Sequence, residues 1–119
     1  MKVTIKARKK EDIENLSTYP PYILKIFRHL SRIYKIKMPD EITLKPTRKN
    51  YNIYAQSFTY GRAGFDGEEY WIAMNTELNN ALNTLAHEIA HIAAAIKYKQ
   101  WSHSKKFGEM LERALEVVE

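Results

Sequence analysis

The stretch from about Thr76 to Lys99 constrains the fold more than any other, because its apolar residues recur at helical spacing and its histidines stay out of that stripe. At about 100° per residue, Leu78, Leu82, Leu85, Ile89, Ile92 and Ile96 share one face. Asn80, Thr84, His87, His91, Ala94 and Tyr98 share the opposite one. A chain built round this helix must set one face on a core and keep the other for something else. A solvated stripe would more usually carry Lys and Glu, whereas small and neutral residues suit the floor of a cleft.

The rest of the chain supplies partners for the apolar face. Val3, Ile5 and Ala7 alternate with Lys2, Thr4 and Lys6, the period of a strand with one buried side, and Arg8-Lys9-Lys10 reads as its solvated end. Pro20-Pro21 suit a helix start; Ile23, Ile26, Phe27, Leu30, Ile33 and Tyr34 follow at helical spacing until Met38-Pro39 ends the pattern. His29 lies with Lys25, Arg28 and Arg32 on the polar side of this helix and is expected to be solvated. Ile42 and Leu44 mark a brief strand, and Tyr51 to Tyr60 is rich in aromatic and β-branched residues. Gly61 to Gly67 reads as a turn leading into a strand over Glu69 to Met74. After the long helix the chain breaks at Gln100-Trp101-Ser102, and a last helix is expected from about His103 to Val118. The expected fold is α+β: one domain over residues 1–119, with an N-terminal helix on a small, mainly antiparallel sheet, then the long helix and a closing C-terminal helix.

Composition narrows the chemistry. The 119 residues suit one core and one site. The first ten residues are too polar for a secretory leader, and no stretch approaches the roughly 18 apolar residues that span a bilayer, so the expectation is a soluble, cytoplasmic protein with no membrane partner. There is no cysteine, so any metal must be held by imidazole and carboxylate. A net charge of +5 is enough for weak nucleic-acid association, but no arginine-glycine tract, zinc ribbon or basic recognition helix accompanies it.

Two imidazoles four residues apart on a helix project in nearly the same direction, which is what a zinc ion needs. His87 and His91 meet that need, and Glu88 stands one helical step round, beside the metal rather than on it, where it can take a proton from water. A catalytic zinc also needs a third protein ligand and an open position. The candidates are His103, Glu109 and Glu112. Phe107, Met110, Leu111, Ala114 and Val118 define the buried side of the last helix; His103 falls on that side, while Glu109 and Glu112 point away. For a donor to the oxyanion of the transition state, Tyr98 on the histidine face comes first, with Tyr60 and Arg62 behind it. Tyr70 and Trp71 are of interest because their strand precedes the metal helix.

His87-Glu88-Ile89-Ala90-His91 followed by His103-Ser104-Lys105-Lys106-Phe107 resembles the His-Glu-x-x-His…His-x-x-x-Phe pattern of the SprT-like, WLM and YgjP-type metallopeptidases. Trp71 to Leu78 is similar to the strand, turn and leucine that lead into their active-site helix, so the resemblance covers about the second half of the chain. It implies a zincin domain in which His87, His91 and His103 bind Zn²⁺ and Glu88 is the general base for hydrolysis of a peptide or unfolded protein. These 119 residues hold neither the cysteine-rich ribbon of many SprT proteins nor a second domain for DNA or ubiquitin-like partners, a departure from the family's pattern that puts any carry-over of DNA–protein crosslink repair in doubt. A second resemblance, to the minigluzincins, would make Glu109 or Glu112 the third ligand. The rival reading from another class is a latent or inactive metal-binding domain acting as a DNA-associated or regulatory protein.

Overall fold

The alternating N-terminal residues form strand β1 (Lys2–Ile5), whose partners appear only after two helices. The computed structural model describes residues 1–47, 50–52, 57–59, 61–75 and 81–119. Helix α1 (Lys10–Leu16) replaces the solvated strand end expected at Lys10. Glu11 and Asp12 in its first turn favour the positive end of the helix, but Leu16 is its only fully buried side chain, so no apolar period betrays it. Helix α2 (Pro20–Tyr34) begins on its proline pair, buries Ile23, Ile26, Phe27 and Leu30, and stops where Lys35 turns left-handed at φ 54°. His29 is half-buried rather than solvated: Arg32 donates to its Nδ1 at 3.3 Å, which leaves the proton on Nε2 to donate to Glu116 at 3.0 Å.

Strand β2 (Glu41–Pro46) pairs with β1, the short strands β3 (Asn50–Asn52) and β4 (Ser57–Thr59) pair with each other, and β5 (Gly61–Phe65) runs into β6 (Tyr70–Met74). The main sheet has the order β1-β2-β6-β5, with β5 on the edge among the described residues. It is mixed and not mainly antiparallel, since β1–β2 and β2–β6 run parallel and only β5–β6 is antiparallel. The connections decide this: β1 reaches β2 through two helices, a crossover long enough for parallel pairing, whereas β5 meets β6 across a tight turn. That turn is confined to residues 66–69, so Gly61 to Phe65, expected as a turn, is strand. Gly67 adopts φ 99°, and Asp66 Oδ1 accepts the backbone N–H groups of Glu68 and Glu69 at 2.9 and 2.8 Å.

Helix α3 (Ala81–Tyr98) sets Leu85, Ile89 and Ile92 in a core with Ile42, Leu44, Ile72 and Met74 of the sheet and the buried face of α2. The residues expected at 76–80, including Leu78 and Asn80, lie outside the described residues. Ala90, Ala93 and Ala94 are also buried, because α4 (Lys105–Val118) covers part of the histidine side with Phe107, Met110 and Ala114. The last helix starts two residues later than expected: Ser104 is its cap and accepts the Phe107 N–H at 3.2 Å, which leaves His103 just ahead of the helix. The result is an α+β fold with α3 enclosed between the sheet and the helices α2 and α4. Among the described residues no helix is long and apolar enough to cross a membrane.

Candidate metal centre

One turn of α3 brings His87 and His91 together, with Nε2 to Nε2 at 3.2 Å. The reversal after Tyr98 returns His103 to the same point, 3.0 Å from His91 Nε2 to Nε2. One nitrogen from each of the three rings falls within 4.8 Å of the others, and the three histidines lie close enough together to bind a metal ion. Nitrogens held tetrahedrally by zinc at about 2.0–2.1 Å lie roughly 3.3 Å from each other, close to the two shorter spacings. An in-plane imidazole nitrogen offers one site, so His91 Nε2 cannot donate a proton to both neighbours; a cation accepts a lone pair from each.

Phe107 fixes these rings from the α4 side. It stacks on His91 at 4.2 Å between centroids and 18° between planes, and it also lies 5.2 Å from His87 and 5.1 Å from His103. Burial and mutual repulsion favour the neutral imidazole at His87 and His91, the form a metal ligand requires. Burial and the neighbouring His103 lower the pKa of His87, and burial, His87 and His103 push His91 down to about 4. His91 Nδ1 is buried without a hydrogen bond of normal geometry, although the Trp101 backbone beside it acts weakly in favour of a proton there. A proton on Nδ1 directed at a main-chain oxygen leaves Nε2 free as a ligand atom.

Glu88 is 4% exposed and burial raises its carboxyl to about 7. Its Oε1 is 3.9 Å from His87 Nε2, too far to bond the ring but at the edge of the cluster. Edge strand β5 comes unusually close here: a Cβ on Gly61 would stand 2.7 Å from Thr84 Cγ2 and 3.3 Å from both Glu88 Cγ and the Ala73 carbonyl. Glycine is therefore needed for the approach of strand to helix. Between β5 and the 101–103 segment runs an open cleft of about 380 Å³, with His87, Glu88, His91 and His103 on its floor. Trp71 and Trp101 wall it, and exposed Arg62 stands on the β5 rim. The Trp71 indole occupies the space a side chain at Gly64 would fill, and Lys45 Nζ lies 4.3 Å over its ring.

Of the expected site residues, His87, Glu88, His91, His103 and Arg62 meet in this cleft. Glu109 and Glu112 are exposed and take no part in the cluster. Tyr98 does not line the cleft; its ring lies 4.5 Å from Lys106 Nζ. It shares the rotation of His91 but stands seven residues on, about 10 Å along the axis. Tyr60 lies outside the described residues. The close approach at Gly61 and the place of Trp101 join residues distant in sequence and had no local signal. Compared with known proteins, the chain matches no family model, and no curated protein or solved structure is significantly similar to it.

Proposed function

We propose that this protein is a zinc-dependent metallopeptidase that cleaves peptides or unfolded protein segments. The observation that carries the reading is a buried carboxyl, Glu88, held beside three converging imidazoles at the floor of an open cleft. A purely structural metal site has no use for a base next to it. An all-nitrogen, cysteine-free donor set with room for a fourth ligand suits catalytic zinc. Zinc held by His87, His91 and His103 would supply Lewis acidity, polarising the scissile carbonyl and making a water easier to deprotonate.

The chain's own groups do the rest. Glu88, at the edge of the histidine cluster, accepts a proton from the attacking water and returns it to the leaving amine. Among the described candidates, Arg62 on the β5 rim lines the cleft and is placed to steady the developing oxyanion, whereas Tyr98 is not. Edge strand β5 offers main-chain groups to an extended peptide, which would bring a backbone carbonyl over the histidines. The arrangement is the basis on which we set the chain beside the SprT-like, WLM and YgjP-type metallopeptidases, with a histidine rather than a minigluzincin glutamate as third ligand. The test is hydrolysis of an unfolded protein before and after chelation. Activity should vanish with the metal and return with added zinc; hydrolysis that persists in metal-free protein would overturn the proposal.

A further inference from the structure

Three aromatic side chains form a row that leads out of the cleft. Trp101 is 41% exposed and lines the cleft wall with His91 and His103. The Tyr70 ring lies 6.4 Å from it, and the Phe65 ring 4.7 Å from Tyr70. Phe65 is 49% exposed although its register partner Tyr70 packs against the core. Beyond the row, Tyr70 also walls a recess of about 320 Å³ with Met38, Pro39 and Ile96. Exposed aromatic rings, Phe65 and Trp101, continuous with an open cleft mark a place where apolar surface is meant to be covered.

Strand β5 runs from the cleft to the row. Gly61, Arg62 and Ala63 border the cleft, and Phe65 stands two residues beyond Ala63, about 7 Å at the rise of a strand. An extended peptide along β5 turns alternate side chains to the same face, so one of them meets the row. The ground around Tyr70 carries Asp40, Glu41, Glu68 and Glu69 against Lys6, which pairs with Glu69 at 3.4 Å, and Lys37, an acidic balance that disfavours an acidic side chain at that position.

We infer that Trp101, Tyr70 and Phe65 form a subsite for a large apolar side chain of the peptide, further along β5 from the bond that is cut; this rests on the peptidase reading above. The subsite favours Phe or Leu over Ala and disfavours Asp. Binding is read by calorimetry on the zinc-loaded Glu88→Gln protein, with capped alanine-rich hexapeptides carrying a single Phe, Ala or Asp at a central position. The Phe peptide should bind about tenfold more tightly than the Ala peptide, the scale expected for burying most of one large apolar side chain. Trp101→Ala and Phe65→Ala, each made in that background, should narrow the gap, with unfolding midpoints as the check on folding. Equal affinity for the Phe and Ala peptides, no measurable affinity for either, or a gap that survives both substitutions overturns the subsite. Hydrolysis by the unsubstituted protein is scored separately, so a failure of the peptidase reading appears there and not in this comparison.

Discussion

The Phe107 ring lies face to face with the His91 imidazole, 4.2 Å away and 18° from parallel, so the buried face of α4 sets the orientation of a candidate ligand on α3. Phe107→Leu keeps an apolar side chain but ends the stacking. It should cost about 1 kcal/mol in denaturant unfolding. It should also weaken zinc binding by about tenfold, the scale for loss of a group that orients a ligand. Competition with a chromophoric chelator measures the second effect. Unchanged affinity would mean that the ring only fills space.

His103 reaches the cluster from a short segment, while Glu109 and Glu112 face solvent on the helix that follows. His103→Ala should lower zinc affinity by at least about tenfold, with Glu109→Ala and Glu112→Ala leaving it unchanged. Release of zinc by either glutamate substitution but not by the histidine one would give the third ligand to α4.

The contact between β5 and α3 at Gly61 leaves no room for a methyl group. Gly61→Ala should therefore destabilise the fold by about 1–3 kcal/mol, the usual range for overpacking. Thr84→Ser removes the Cγ2 that the new methyl would strike, so the double variant should recover part of the loss, a non-additivity read from unfolding curves. Strict additivity would place the strain elsewhere.

In metal-free protein the two shifted groups act on stability with opposite signs. Glu88 has a folded pKa near 7, above its ordinary 4.5, so the folded state binds the extra proton and stability falls as pH rises through that window. His91 has a folded pKa near 4, below its ordinary 6.5, so stability falls as pH drops through that one. Glu88→Gln removes only the first effect. With chelator present, the variant should melt above the parent at about pH 8, and the difference should close as pH falls toward about 4.5. A difference that widens toward acid contradicts this assignment of burial.

How far the sequence carried the fold depended on whether a signal was local. The α2 period and the alternation of β1 are written in consecutive residues, and both elements appear where those residues lie. Helix α1 was hidden because one buried side chain, Leu16, makes no period. Strand direction depends on which distant segments become neighbours, so the parallel pairing of β2 with β6 could not be read from either strand. In the site, helical rotation grouped His87 with His91, whereas the same rotation misled for Tyr98, since an angle says nothing of distance along the axis. His103 meets His91 from ahead of α4, not from within it, because Ser104 caps the helix. The contacts of Gly61 with Thr84 and of Tyr70 with Trp101 join residues more than twenty positions apart and exist only once the chain has folded.

The most direct measurement compares parent and Glu88→Gln proteins, loaded with zinc in the same way and assayed for metal content, on one unfolded protein substrate. A carboxyl that moves the proton in hydrolysis, and does not hold the metal, predicts equal zinc content with a rate at least about 100-fold lower in the variant. Equal rates at equal zinc content would contradict the account.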